Sequence, residues 1–123
     1  MSALAIACQV IIAFGIVNVW VFRRDRPSPY RPGNAANMKE EFERYGLPGW
    51  ARIAVGGTKL ALAAALLVGI VWSQVAVPAA ALMGALMIGA VVMHIRVDDP
   101  LPKALPATFM LLLSAIVVAS YTV

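Results

Sequence analysis

Little in this chain is available for covalent, redox or metal chemistry. It has one cysteine, Cys8, and one histidine, His94. A lone thiol excludes an intramolecular disulfide and a CxxC redox pair, so Cys8 reads as a small apolar packing residue. One imidazole without a carboxylate or thiolate cluster beside it makes a poor metal site, and none is expected. Flavin, nucleotide and haem-ligand motifs are missing too, so no intrinsic cofactor is expected and any redox chemistry must use a partner's. Charge is also scarce: 13% of residues are charged, against about a quarter in a soluble domain. That leaves too little polar surface to cover a soluble globule.

What the chain has instead is apolar length. Of its 123 residues 62% are hydrophobic, with a mean hydropathy of +0.84. Four long runs stand out, at 2–22, 52–73, 76–95 and 104–122. Each is close to the ~20 residues that cross a ~30 Å hydrocarbon core as a helix. The alternation that a transmembrane barrel needs is absent. The expected fold is an all-α membrane protein, one domain over 1–123: a four-transmembrane-helix antiparallel bundle. The first run has no basic residue ahead of it and Arg23, Arg24 and Arg26 behind it. That is a stop-transfer pattern, and it reads as a retained helix rather than a signal peptide.

Nine of the ten Lys and Arg residues fall in two segments, 23–52 and 96–103, and all six acids lie there as well. The positive-inside rule makes both segments cytoplasmic, with the two termini outside. The basic balance (formal charge +4) therefore belongs to membrane topology and not to nucleic acid. A bacterial inner membrane is the expected location, with the bilayer as the first partner. Trp20 and Trp50 are expected at the inner interface, Trp72 and Tyr121 at the outer one.

Within the first loop (23–51), the prolines at 27, 29 and 32 bar a regular helix, since each biases its predecessor to extended geometry. Asn37 followed by Glu40 is a capping-box variant. Met38, Phe42 and Tyr45 then recur at helical spacing, with charged residues between them. The pattern predicts a short cytoplasmic amphipathic helix, ended by Gly46-Leu47-Pro48-Gly49. It serves either as a solvated connector or as a lid over the bundle. Association of spans in lipid relies on small residues. Three such stripes can be read, Gly57/Ala61/Ala65/Gly69, Ala81/Ala85/Gly89 and Ala115/Ala119. They suit either the bundle itself or a homodimer or larger membrane complex.

The polar residues of the spans converge on one depth. Lys59 lies seven residues past Arg52, so about 10 Å from the cytoplasmic edge. Asn18, five residues before Arg23, lies about 8 Å in. His94 sits two residues before Arg96. No acid is present in any run, so the partner of Lys59 must be Asp98, Asp99, an acid of the short helix, a headgroup, a carbonyl or a ligand. The readings are snorkelling, a structural ion pair, or a binding or proton-handling role. His94 suits either a helix carboxyl-end cap or a proton relay with Lys59 or Asp98. Arg96, Asp98, Asp99 and Lys103 form a dense charge knot. It either pins the third loop through Arg96–Asp pairing or holds an anionic headgroup or acidic ligand on Arg96 and Lys103.

Two stretches carry a resemblance. Glu41-Phe42 through Tyr45-Gly46-Leu47-Pro48 and Trp50, with Gly56-Gly57-Thr58-Lys59-Leu60, resembles the core of the DoxX-like family of small bacterial membrane proteins. His94-Ile95-Arg96-Val97-Asp98-Asp99-Pro100 through Lys103-Ala104-Leu105-Pro106 is similar to that family's H-x-R-x-x-D-P…K-A-x-P segment. Many relatives carry an acid where this chain has Lys59. The resemblance implies a four-helix integral membrane protein, often labelled by similarity to a thiosulfate:quinone oxidoreductase subunit. Together these features lead to the expectation of a non-catalytic membrane subunit or a protein binding a lipid, quinone or other small hydrophobic ligand. Lys59, His94, Asn18 and Arg96 are expected to line the site, with Asp98, Asp99 and Lys103 beside it. The alternatives are an anchor or subunit of a quinone-linked oxidoreductase, or a minimal transporter. Prolines at helix ends rather than at mid-membrane count against transport.

Overall fold

The computed structural model describes residues 2–122. Five α-helices form: α1 (Ala3–Val17), α2 (Met38–Arg44), α3 (Gly49–Val71), α4 (Ala76–Arg96) and α5 (Leu105–Thr122). Single turns extend three of them. A wide turn, Asn18–Phe22, prolongs α1, with the Arg23 N–H donating to the Asn18 carbonyl at 2.8 Å. Tight turns at Ser73–Val75 and Leu101–Ala104 lead into α4 and α5. The resulting apolar spans are Ala3–Phe22, Gly49–Val71, Ser73–Arg96 and Leu101–Thr122, of 20, 23, 24 and 22 residues. At ~1.5 Å per residue each is long enough to cross a bilayer core. The second span starts earlier than its hydropathy indicates, because extended Pro48 is a ready N-cap and the helix begins directly after it.

The spans pack in the cyclic order α1, α3, α4, α5. Every neighbouring pair is antiparallel, so Ser2 and Thr122 share one end of the bundle. The first and third loops share the other, called the charged end below. Ile12, Leu66, Met83 and Val117, one from each span, are fully buried at the centre. Phe14, Val68, Leu82, Ile88 and Leu112 point outward. That inside-out apolar surface is what a lipid solvent requires, and it makes the chain an all-α membrane protein.

Small residues bring the helices close, but of the expected stripes only Ala65 and Gly69 take part. Gly57, Ala61, Ala81, Ala85, Gly89, Ala115 and Ala119 are exposed on the bundle. The inward face of α3 is Gly56, Lys59, Ala63, Leu66 and Gly69. Neighbouring stripes on a helix differ by one residue, about 100°, and composition does not choose between them. Packing does: the ring of Trp20 lies on Gly56, where a Cβ would come within 2.6 Å of it. Gly69 lets the backbone of Ala76 approach, closing the turn between α3 and α4. Trp20 is thus a core residue, 7% exposed, and not part of an interfacial belt. Trp50 and Trp72 are exposed.

Polar groups lock both ends. Near the termini, buried Gln9 donates to the Leu66 carbonyl at 2.8 Å and accepts from the Tyr121 hydroxyl at 2.9 Å. This ties α1 to α3 and α5 by the interhelical hydrogen bonds that stabilise helix packing in lipid. At the charged end two helices stop in Schellman motifs. In α2 the N–H of Leu47 reaches Phe42 O and that of Gly46 reaches Glu43 O, with Gly46 at φ 75°. In α4 the N–H of Asp99 reaches His94 O and that of Asp98 reaches Ile95 O, with Asp98 at φ 57°. The left-handed residue reverses the chain at each stop, and the side chains next to it turn back onto the bundle.

Gly56→Val should drive the Trp20 ring out of its seat and destabilise the bundle by about 1–3 kcal/mol, as overpacking does. Gly57→Val, with nothing within 4 Å of its Cβ position, should be close to neutral. Thermal unfolding of both variants in detergent makes the comparison.

Candidate functional site

At the charged end the four spans do not close on one another. They leave a chamber of about 410 Å³, lined mainly by apolar residues of all four spans and by the first loop with α2. Its lining residues Val19, Tyr30, Ala85 and Gly89 are also exposed, so the chamber reaches the bundle surface.

Lys59 is the charge deepest in the spans. Its residue is 8% exposed, and its ammonium lies 5.3 Å from the centroid of the Trp20 ring. That is cation–π distance. Among the described residues no hydrogen bond or ion pair reaches this ammonium. No fully buried side-chain nitrogen or oxygen among the described residues is left without a partner, so the Lys59 nitrogen keeps some access to the chamber. Trp20 is in turn held by Phe42, edge to face at 5.8 Å, and Phe42 by Tyr45 at 6.1 Å.

Tyr45 begins a second feature. Its hydroxyl is 3.3 Å from His94 Nε2, and His94 Nδ1 is 2.7 Å from Asp99 Oδ2. The two rings meet edge-on at 5.7 Å. With neutral imidazole, Nδ1–H donates to Asp99 and Nε2 accepts the phenol proton. Asp99 is then fixed further, Oδ1 accepting the N–H of Gly33 at 3.2 Å. The result is a carboxylate–imidazole–phenol chain that can carry a proton from the third loop to the chamber wall. Burial, reinforced by the carboxylates of Glu41 and Asp99, pushes the Tyr45 phenol above its ordinary value, against a smaller pull from Arg31.

Arg31 organises the first loop. It is buried, and its guanidinium donates to Glu41 Oε1 at 3.1 Å, Arg23 O at 2.8 Å and Arg26 O at 2.9 Å. Burial raises the Glu41 carboxyl above the usual range, while the charge and hydrogen bond of Arg31, then Lys59 and His94, pull it down. The Lys103 ammonium donates to the carbonyls of Arg31 and Gly33. The α5 side of the third loop thereby grips the first.

The residues expected from sequence therefore separate. Lys59, His94 and Lys103 line the chamber. Asp99 stands behind His94 as its partner, in place of Lys59 or Asp98. Asp98 serves the backbone, as the left-handed residue after α4. Arg96 is exposed and makes no ion pair with Asp98 or Asp99 among the described residues. Asn18 is exposed too, its carbonyl closing the wide turn after α1. Sequence reasoning passed over Trp20, Arg31, Glu41 and Tyr45 as parts of a site. The apolar spacing of Met38, Phe42 and Tyr45 was the usable signal for Tyr45; nothing local separates Arg31 from the solvated arginines around it.

A family model, that of the DoxX-like family, matches residues 32–117. That stretch includes every chamber residue from α2 to α5. No curated protein and no solved structure matches the chain.

Removing Arg31 should leave Glu41 buried without its partner, at a cost of about 3–5 kcal/mol. Arg31→Met should speed amide exchange through Met38–Arg44, and Arg31→Met with Glu41→Leu should recover part of the protection. Tyr45 should stay neutral past pH 10.0, the ordinary phenol value. The folded state holds this proton more tightly than the unfolded one. Its stabilising effect is therefore complete below that pH and is lost as pH rises toward the folded value. The phenolate absorbance difference between wild type and Tyr45→Phe should thus appear only above pH 10.0.

Proposed function

The chain belongs to the DoxX-like family, and from its chamber we propose that it is a non-catalytic membrane protein that binds a small hydrophobic ligand, a lipid or a quinone, at its charged end. The observation that carries this reading is the Lys59 ammonium, borne by a residue 8% exposed that lines an apolar chamber of about 410 Å³, with no protein acceptor among the described residues. An ammonium has three donors and no acceptor. Held away from water it requires an acceptor, and a ligand oxygen supplies one. The chamber's size falls within the ~300–1,000 Å³ of small-molecule sites, and its few polar groups among apolar walls have the usual composition of such sites.

The basic segments support a charged end in the cytoplasm of a bacterial cell, with the protein in the inner membrane and both termini outside. A ligand would then reach the chamber from the inner leaflet. The Asp99–His94–Tyr45 chain favours a second reading, a membrane subunit of a quinone-linked oxidoreductase. In it the electrons come from a partner's cofactor, and the chain delivers a proton to the chamber.

Extraction and mass spectrometry of the detergent-purified protein tests the first reading. Wild type should retain a lipid or quinone in near-stoichiometric amount, and Lys59→Leu, with unchanged helical circular dichroism, should lose it. An empty wild-type protein, or identical contents in the two, would defeat it. Stable co-purification with a flavoprotein or sulfur enzyme would favour the second reading.

A further inference from the structure

The charge inventory of the chamber narrows what it holds. Apart from its two tyrosines, Tyr30 and Tyr45, six charged or titratable groups line it: Arg23, Arg31, Glu41, Lys59, His94 and Lys103. Glu41 is the one acid among them, and it is committed to Arg31. His94 is committed to Asp99. Arg23, Lys59 and Lys103 remain, and none of them makes an ion pair among the described residues. The Lys103 ammonium is directed to two backbone carbonyls, which do not cancel its charge. Lys59 thus faces a low-dielectric space with no anion assigned to it, and in such a space the interaction with an anion is strong; Arg23 and Lys103 stand toward the loops and add to the positive field.

Position sharpens this further. Lys59 lies deepest, against the Trp20 ring, in a chamber that Tyr45 and His94 also line. Arg23 is exposed toward the loops. The apolar lining includes Ile16, Leu86, Met87, Ala90 and Met110. Methionines make walls that adapt to a flexible chain. A volume of about 410 Å³ lies near the lower end of the ~300–1,000 Å³ range for small-molecule sites. That is room inside the chamber for one chain with a compact head.

We propose that the chamber takes a single-chain amphiphile with an anionic head, carboxylate or phosphate, the head accepting from Lys59 within reach of Tyr45 and the chain lying along the α4–α5 wall. This deepens the ligand-binding reading and rests on it. A neutral quinone head would satisfy the Lys59 donors but would leave the buried Lys59 charge uncompensated.

The test is competition for the detergent-purified full chain loaded with a fluorescent long-chain fatty acid. The competitors are palmitate, palmitoyl lysophosphatidate, hexadecanol, methyl palmitate and decylubiquinone. Palmitate, lysophosphatidate or both should displace the probe, and whichever does so identifies the head. The three neutral compounds should be weaker by roughly tenfold or more, the worth of a charge-assisted hydrogen bond. In Lys59→Met that gap should shrink to near parity. Equal competition by hexadecanol or decylubiquinone in the wild type would overturn the anionic-head assignment and leave the ligand-binding reading standing. Failure of the wild type to bind the probe or any competitor, decylubiquinone measured directly included, would overturn both. The wild-type series decides the matter even if Lys59→Met does not fold.

Discussion

A buried ammonium with no acid in any span constrains everything around it. In a soluble protein Lys59 would reach water; in this bundle it is buried against the Trp20 ring. The enclosure is layered. Gly56 gives the Trp20 ring its seat, Phe42 stacks edge-on against that ring, and Tyr45 follows Phe42 toward His94. Each layer positions the next, so α2 is a wall of the chamber as much as a connector between spans.

The two ends of the bundle solve the same physical problem in different ways. Near the termini, one amide satisfies everything: Gln9 uses a donor on Leu66 and an acceptor on Tyr121, in a fully packed setting. Nothing is left over, so that end reads as structure. At the charged end the satisfied groups, Arg31–Glu41 and His94–Asp99, surround a cation that is not satisfied. Buried polar groups that are fully paired specify a fold. One that is not paired, beside a cavity, points to a ligand.

The segment after α4 shows how a local backbone rule produces a site. Asp98 in the left-handed conformation ends the helix, and Asp99, one residue on, is thereby turned back onto His94. Pro100 and the turn Leu101–Ala104 then aim Lys103 at the first loop. A run of charges that reads as one knot is divided among three tasks, with Arg96 left exposed at the surface.

Much of the architecture was legible without coordinates, because lipid leaves few choices. Four apolar runs of spanning length must be helices, Asn37 with Glu40 must begin one, and closely spaced prolines must keep the first loop irregular. Periodicity put Gly56, Lys59 and Ala63 on one helical face, and they share it. The choice of which small-residue stripe turns inward was a tertiary matter. Stripes one residue apart are equivalent on an isolated helix, and only the fit of Trp20 against Gly56 separates them. Arg31 was hidden for the same kind of reason. Among several arginines in a polar loop, burial falls to the one whose side chain meets three converging carbonyls and Glu41, and that convergence exists only once the loop has folded onto the bundle.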